Sequence, residues 1–345
     1  MIGKTTLALC LIAATAAVAL PVQAADGPIR GNLRLVIGSR STGGDTYQNA
    51  SIVAQALSEN IGVNVKVDAV GASEAFKTLR RASNGRTVMM FHDQSYLGEL
   101  YGVNGYSDIF EEFTVGPTVA INPGDAFVAP KSSPYQTMEE LLQAAGNGTR
   151  VRVAIQPGGV SEIGYSAIKN ALKIRFPGTE ENLVAVNTGS QADKNQLLFD
   201  GQVDLIHGSV QANEQYTRLP AEDQKAMKFL WLEARRETIE QANPEGIGET
   251  TREDLLQYVS PNVSVTLDGT QDFTFDKEFF FIYNKDMDPA IVAQIDASLA
   301  EIYAGGEIQE IQKRSFFIPN FKPSAEAQVY LKEKRDRYEV VIGSH

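Results

Sequence analysis

The sequence predicts an α/β protein with two lobes and a mostly parallel sheet in each. Three observations carry this. Strand-period and helix-period stretches alternate from residue 33 to residue 206. The same order of strand, glycine-rich turn and helix recurs in both halves of the chain, and such units build parallel sheets covered by helices. The 345 residues are enough for two units of this kind, each with its own core.

Leu33, Leu35 and Ile37 alternate as a strand, and Val53, Leu57 and Ile61 then recur at helical spacing. Between them lies Ser39-Arg40-Ser41-Thr42-Gly43-Gly44-Asp45-Thr46-Tyr47, a glycine-rich strand-to-helix turn. Gly43-Gly44 permits close backbone approach to a ligand. The helix start that follows offers unpaired N–H groups and a partial positive charge, which suit a carboxylate or phosphate. The turn matches neither a Walker loop nor a GxGxxG fingerprint, and the same glycines would serve an ordinary turn.

Val63, Val65 and Val67 form a second strand, and Gly71-Ala72-Ser73-Glu74 opens a helix to about Ala82. Residues 87–91 form a third strand, ending at His92-Asp93-Gln94-Ser95. Residues 113–130 are extended, with a break at Asn122-Pro123-Gly124, and Thr137 to Glu140 has capping-box spacing. A strand at 151–155 leads through Gln156-Pro157-Gly158-Gly159 into a helix with Ile163, Ala167, Ile168, Ala171 and Leu172 on one face. Another at 183–186 leads through Asn187-Thr188-Gly189-Ser190 into a helix to Phe199, and Gly201-Gln202 turns into a strand at 203–206. Residues 221–262 are charged and irregular apart from an apolar strand at 227–232. Residues 279–283 are a strongly apolar strand, and 288–303 and 324–338 are helical by period.

Ligands of such sheets sit at the carboxyl ends of strands. Four strand-end loops are rich in Gly, Ser, Thr or other polar residues, at 39–47, 92–95, 156–162 and 187–191. Facing loops from two lobes would enclose one ligand in a cleft. Arg40, beside the Gly-Gly turn, suits a carboxylate held by two hydrogen bonds. Glu162, at the start of the second-half helix, would compete with an anion for N–H groups or pair with a ligand cation. There is no GxSxG elbow, and His92, His207 and His345 have no metal-binding spacing, so neither metal nor cofactor is expected. His92 and His207 each follow a strand and suit a cleft wall equally well as satisfied loop histidines. Asp45 and Asp93 are the one carboxylate pair considered for acid–base work.

Residues 1–24 read as a cleaved secretory signal: Lys4 at the front, an apolar run at 7–20, and Val22-Gln23-Ala24 at the cleavage site. Export to the periplasm follows. Cys10 is the only cysteine and lies within that segment, so the mature chain would have no disulfide, thiol nucleophile or thiolate metal site. A net charge of −12 argues against nucleic acid or an anionic membrane as partner. It does not exclude an anionic ligand, since local N–H groups and one Arg dominate at short range.

The chain resembles the periplasmic solute-binding proteins of tripartite tricarboxylate transporters, the Bug family. The resemblance runs through nearly all of the mature chain. It rests on Gly43-Gly44, Gly62 and Gly71-Ala72, then on Tyr106 to Thr114 and Ser133 to Leu141, and on Pro157-Gly158-Gly159-Val160, Asn187-Thr188-Gly189 and Gly201-Gln202-Val203-Asp204, in that order. It implies a type II "flytrap" fold that closes on a small molecule and passes it to a membrane permease, without chemistry. It also implies that N–H groups of the first and second loops hold a carboxylate. The family usually has an aromatic residue where Arg40 stands and a Ser where Glu162 stands, so ligand choice is expected to differ here.

Together these readings place lobe one at 26–123 plus 272–345 and lobe two at 124–271. The expected ligand-binding residues are Arg40, Gly43, Gly44, Thr46, Tyr47, His92, Gly159, Val160, Ser161, Glu162, Thr188, Ser190 and Asp204. The expected partners are a small carboxylate and the permease subunits, with the protein itself a monomer. Two other roles fit the residues: a ligand-sensing subunit for a receptor kinase, or an exported α/β enzyme whose turnover would depend on His92 or Asp93.

Overall fold

The computed structural model describes residues 27–343. The predicted signal at 1–24 and His345 lie outside the described residues. In chain order the elements are β1 (Leu33–Ile37), α1 (Asp45–Ile61), β2 (Val65–Ala69), α2 (Ala72–Arg80), β3 (Thr87–His92), α3 (Gln94–Leu100), α4 (Ile109–Glu112) and β4 (Phe113–Asn122). Then come β5 (Asp125–Pro130), α5 (Met138–Gly146), β6 (Val151–Ile155), α6 (Val160–Arg175), β7 (Leu183–Asn187), α7 (Gln191–Phe199), β8 (Leu205–Ser209), α8 (Val210–Thr217) and β9 (Met227–Leu232). The chain ends with α9 (Arg236–Ile239), α10 (Arg252–Leu256), β10 (Lys277–Asn284), α11 (Pro289–Gly305), α12 (Glu307–Arg314), β11 (Ile318–Lys322) and α13 (Ser324–Gly343).

The strands form two sheets, ordered β11-β4-β10-β3-β1-β2 and β7-β6-β8-β5-β9. The chain passes from the first sheet to the second at Pro123-Gly124, between β4 and β5, and returns between β9 and β10. Two lobes meet along these crossings. Both sheets are mixed, which corrects the expectation of mostly parallel sheets. β1 pairs parallel with β2 and β3, and β6 with β7 and β8. β10 and β11 add antiparallel to the first sheet, and β5 lies antiparallel between β8 and β9 in the second. The parallel pairs are those closed by local helical crossovers, which sequence period detects. The antiparallel ones join strands from distant parts of the chain, with no local signal.

Local chemistry explains where the elements stop. α1 ends at Gly62, whose φ of 72° is left-handed and whose N–H bonds to Ser58 O. Thr137 caps α5 by accepting from Glu140 N–H at 3.1 Å, while the Glu140 carboxylate accepts from Gln136 N–H at 2.6 Å. β10 is buried along all eight of its residues, which is why Phe279 to Tyr283 can be apolar without alternation. Its first two residues, Lys277 and Glu278, are therefore charges inside the protein and must be paired. Phe127 stacks on Trp231 with ring centroids 5.6 Å apart, in a core that also takes in Phe76, Phe91 and Phe280 of the first lobe. α13 packs on β4, α3 and α6, so the last helix touches both lobes.

Candidate functional site

Strand ends from both sheets converge on a cleft of about 350 Å³. Five helices begin on its wall, with N-caps Gly44 (α1), Gly71 (α2), Gly159 (α6), Ser190 (α7) and Ser209 (α8). A helix start carries N–H groups without intrahelical partners and about half a positive charge, so the convergence favours an anion. Gly43 and Gly44 do not adopt positive φ. A Cβ built on Gly43 would meet nothing within 4 Å, and one on Gly44 would come no nearer than 3.7 Å, to Ser41. The fold itself thus does not demand glycine there, and open space lies in front of the turn.

Beneath the helix starts is a cluster of buried charges. Lys277 Nζ lies 2.5 Å from Asp45 Oδ2 and 3.5 Å from Asp125 Oδ1. It therefore joins a carboxylate of the first lobe to one of the second. Asp45 also accepts from Asn122 Nδ2 at 2.6 Å and from Thr46 N–H at 2.8 Å. Burial works against the charge of Asp45, but the Lys277 ammonium and these hydrogen bonds outweigh it and hold the carboxyl down at about 2. Burial pushes Asp125 up to about 6 against the pull of Lys277. Lys277 itself is raised, because Asp125 and Asp45 overcome its burial. On the second-lobe wall, Lys194 donates to the His207 carbonyl at 2.6 Å. Burial lowers it to about 8, with Asp125 pulling the other way.

Both cleft histidines are neutral. Burial, then the charge of Lys277, drives His92 well below its usual range, and its Nδ1 accepts from Gln94 N–H at 3.3 Å. Burial and Lys194 do the same to His207. The His207 ring stands 3.2 Å from the carboxyl of Glu233, which burial raises well above its usual range. A neutral imidazole beside a protonated carboxyl fits both shifts.

Of the residues expected to bind ligand, Arg40, Gly44, Thr46, His92, Gly159, Val160, Ser161 and Ser190 line this cleft. Ser161 Oγ also fixes the second loop by accepting from Gln156 N–H at 2.8 Å. Gly43 and Tyr47 line a neighbouring groove of about 1050 Å³ bordered by α1, α11 and α12. Glu162 turns its carboxylate back to accept from Gly158 N–H, so it occupies a loop N–H itself. Thr188 spends both its N–H and its hydroxyl on Ile155 O, at 2.8 and 2.9 Å. Asp204 stands apart from the cleft and corrects the expectation: it precedes β8, at the strand's amino end, and pairs with Arg152 at 2.8 Å. The strand-end rule points to the other end of that strand.

Sequence reasoning missed Lys194, Lys277 and Asp125. Lys277 had a visible signal, a cation two residues before the apolar run Phe279 to Tyr283. Lys194 had none, because one Lys near the start of a polar helix reads as solvated. The Asp45 and Asp93 pair does no joint work: Asp93 lies in a separate network, accepting from Lys334 at 2.7 Å, from Glu278 N–H at 2.5 Å and from Tyr96. Among the described residues no group of His, Cys, Asp and Glu is arranged to hold a metal ion, and no helix is long and apolar enough to cross a membrane.

This is the fold of the Bug and TctC periplasmic binding proteins. BugD matches at 18% identity over 92% of this chain and 98% of its own, with a TM-score of 0.67. MatC from Rhodopseudomonas palustris, with bound malate, matches at 16% identity over 90% of this chain and 99% of its own, with a TM-score of 0.63. A second R. palustris protein, with adipate, matches at 15% identity over 90% and 96%, with a TM-score of 0.68. At these identities the likeness is one of fold. No protein-family model matches the sequence, and no curated protein does.

Proposed function

We propose that this chain is an exported solute-binding protein of the Bug kind, which captures a small carboxylate-bearing molecule between its lobes and delivers it to a tripartite membrane transporter. The observation that carries the reading is the convergence of five helix starts, from both lobes, on one cleft that also holds Arg40 and Lys194. A ligand that touches both walls stabilises the closed form over the open one, which is all that capture and release require. The malate and adipate held by two proteins of the same fold agree with an acidic ligand. Binding without turnover is the simpler role here, because Asp45 is committed to Lys277 and both histidines that line the cleft are neutral and buried.

A thermal-shift screen of the mature protein against mono-, di- and tricarboxylates, aromatic acids and amino acids tests this. A ligand at a hundred times its dissociation constant adds about 2.7 kcal/mol of stability, a rise of several degrees. A hit that is not consumed on prolonged incubation supports capture. No hit in any acid class would refute the carboxylate reading, and consumption of the ligand would refute the non-catalytic one.

A further inference from the structure

The cleft contains one satisfied ion pair and two further opposite charges that are not paired with each other. Asp45 and Lys277, on the first-lobe side, hold each other at 2.5 Å and share further hydrogen bonds. Facing them from the second lobe are Asp125 and Lys194, 3% and 5% exposed, both lining the cleft. Lys194 has three donors; one goes to His207 O, and no carboxylate lies within 4.0 Å of it among the described residues. Asp125 has one oxygen near Lys277, at 3.5 Å, and its Oδ2 has no hydrogen-bond partner. No ion pair joins Asp125 to Lys194. A buried ammonium with no carboxylate in direct contact and a buried carboxylate oxygen without a donor are each unfavourable, and both are relieved by a molecule carrying the complementary groups.

We infer that the cleft floor selects a carboxylate with a hydrogen-bond donor close beside it: Lys194 takes the ligand's carboxylate, and Asp125 Oδ2 accepts from a hydroxyl or ammonium group on a neighbouring carbon. This rests on the carboxylate reading of the cleft and narrows it to hydroxy or amino acids. A plain carboxylic acid would satisfy Lys194 but set a second negative charge near Asp125 with no donor between them. A plain amine would satisfy Asp125 but stand beside an uncompensated Lys194. Only a ligand with both groups completes the floor. The neutral state of His207, whose carbonyl already holds Lys194, keeps that wall from offering a rival cation.

The test is titration calorimetry of the mature protein with two matched sets: succinate, malate and aspartate, then glutarate, 2-hydroxyglutarate and glutamate. Within a set the acids differ at one carbon only. In the better-fitting set, the substituted acid is expected to bind at least tenfold tighter than its parent, and the hydroxy and amino members show which donor the site prefers. Asp125→Ala should abolish that preference while the parent acid still binds. Lys194→Gln should weaken every acid tenfold or more. Circular dichroism and a melt of each variant separate loss of binding from loss of fold, and the wild-type protein supplies a readout that needs no variant. Because Lys194 titrates near 8 when the cleft is free, engaging an anion at pH 8.5 should draw in a proton, seen as a binding enthalpy that varies with the buffer's ionisation heat. Equal affinity of parent and substituted acids would overturn the role of Asp125. Unchanged affinity in Lys194→Gln would overturn that of Lys194. If no acid of any class shifts the melting temperature, the carboxylate reading fails first and takes this inference with it.

Discussion

Replacing Lys277 by Met would leave two buried carboxylates near each other with nothing between them. The side chains of Lys277, Asp45 and Asp125 are 8%, 11% and 4% exposed, so water cannot screen the change. Removing one member of a buried charge group costs about 3–5 kcal/mol. The lower end is expected here, because Asp125, already at about 6, relieves the conflict by taking a proton. About 3 kcal/mol is a fall of roughly 6–12 °C in melting temperature at 2–4 °C per kcal/mol. The deficit should depend on pH in a definite direction. In the wild type the Asp45 carboxyl is held at about 2, below its usual 3.8, so its contribution is complete above the unfolded value and is lost as pH falls through about 2. Without Lys277 that depression disappears and both carboxyls move up, so the variant's fold favours extra protons. Its deficit against the wild type should therefore shrink between pH 7.5 and pH 5. Calorimetric melts at those two values decide it. A variant as stable as the wild type at pH 7.5, or a deficit that widens at pH 5, would refute the account of Lys277 as the counter-ion of both carboxylates.

Glu278 gives a second pH signature. Burial pushes its carboxyl up to about 7 despite Lys334 3.9 Å away, so the fold binds a proton there that the unfolded chain releases above 4.5; this contribution is present at low pH and fades as pH rises through 4.5 to 7. Glu278→Gln should flatten that part of a melting-temperature profile. Arg40 is exposed on the cleft rim, so Arg40→Ala should leave the melting temperature of the free protein unchanged while weakening an acidic ligand roughly tenfold, about 1.4 kcal/mol, in a calorimetric titration. Gly71 has φ of 83°, and a Cβ there would lie 2.8 Å from Arg40 Cγ. Gly71→Ala should cost about 1–2 kcal/mol in a denaturant melt from backbone strain and should also weaken the ligand by displacing Arg40, whereas an affinity matching the wild type would show that Arg40 is not positioned by this turn.

The sequence made the frame legible because βα units leave local marks. Leu33, Leu35 and Ile37 followed by Gly43-Gly44 and a helical stripe located the first cleft wall, and Val151 to Ile155 followed by Gly158-Gly159 located the second. Gly62 was readable as a helix end for the same reason. What escaped was whatever depends on distant partners. β11 is short, carries Pro319 and gains its place only by pairing with β4 some two hundred residues earlier. α3 begins inside the polar loop expected at 92–95 and its remainder carries no local signal, since Gly98 interrupts it, yet Gly98 lets the Tyr106 ring pack where a Cβ would sit 2.4 Å from it. In the site, glycines and capping residues declare a helix start by type alone, whereas a charge declares nothing until its neighbours are known. Asp204 was expected in the cleft and is paired with Arg152 instead, while Lys194, which carried no signal, is buried there against the His207 carbonyl.

The buried charges also bear on how the cleft works. Lys277 is on β10, Asp45 at the start of α1 and Asp125 at the start of β5, one residue past the Pro123-Gly124 crossing. Their cluster sits beside the chain crossing between the two sheets and ties the two lobes together there. Other contacts between the lobes are of another kind: the Tyr101 hydroxyl meets Ser166 at 2.9 Å, and Val103 packs where a Cβ on Gly158 would come within 2.5 Å. A single hydrogen bond of this kind is worth far less than the cost of separating a buried ion pair. Arg40, Lys194, Asp125 and the starts of α1 and α6 all line the cleft, so substitutions there are expected to change affinity, and Asp125 couples that affinity to the charge cluster that joins the lobes.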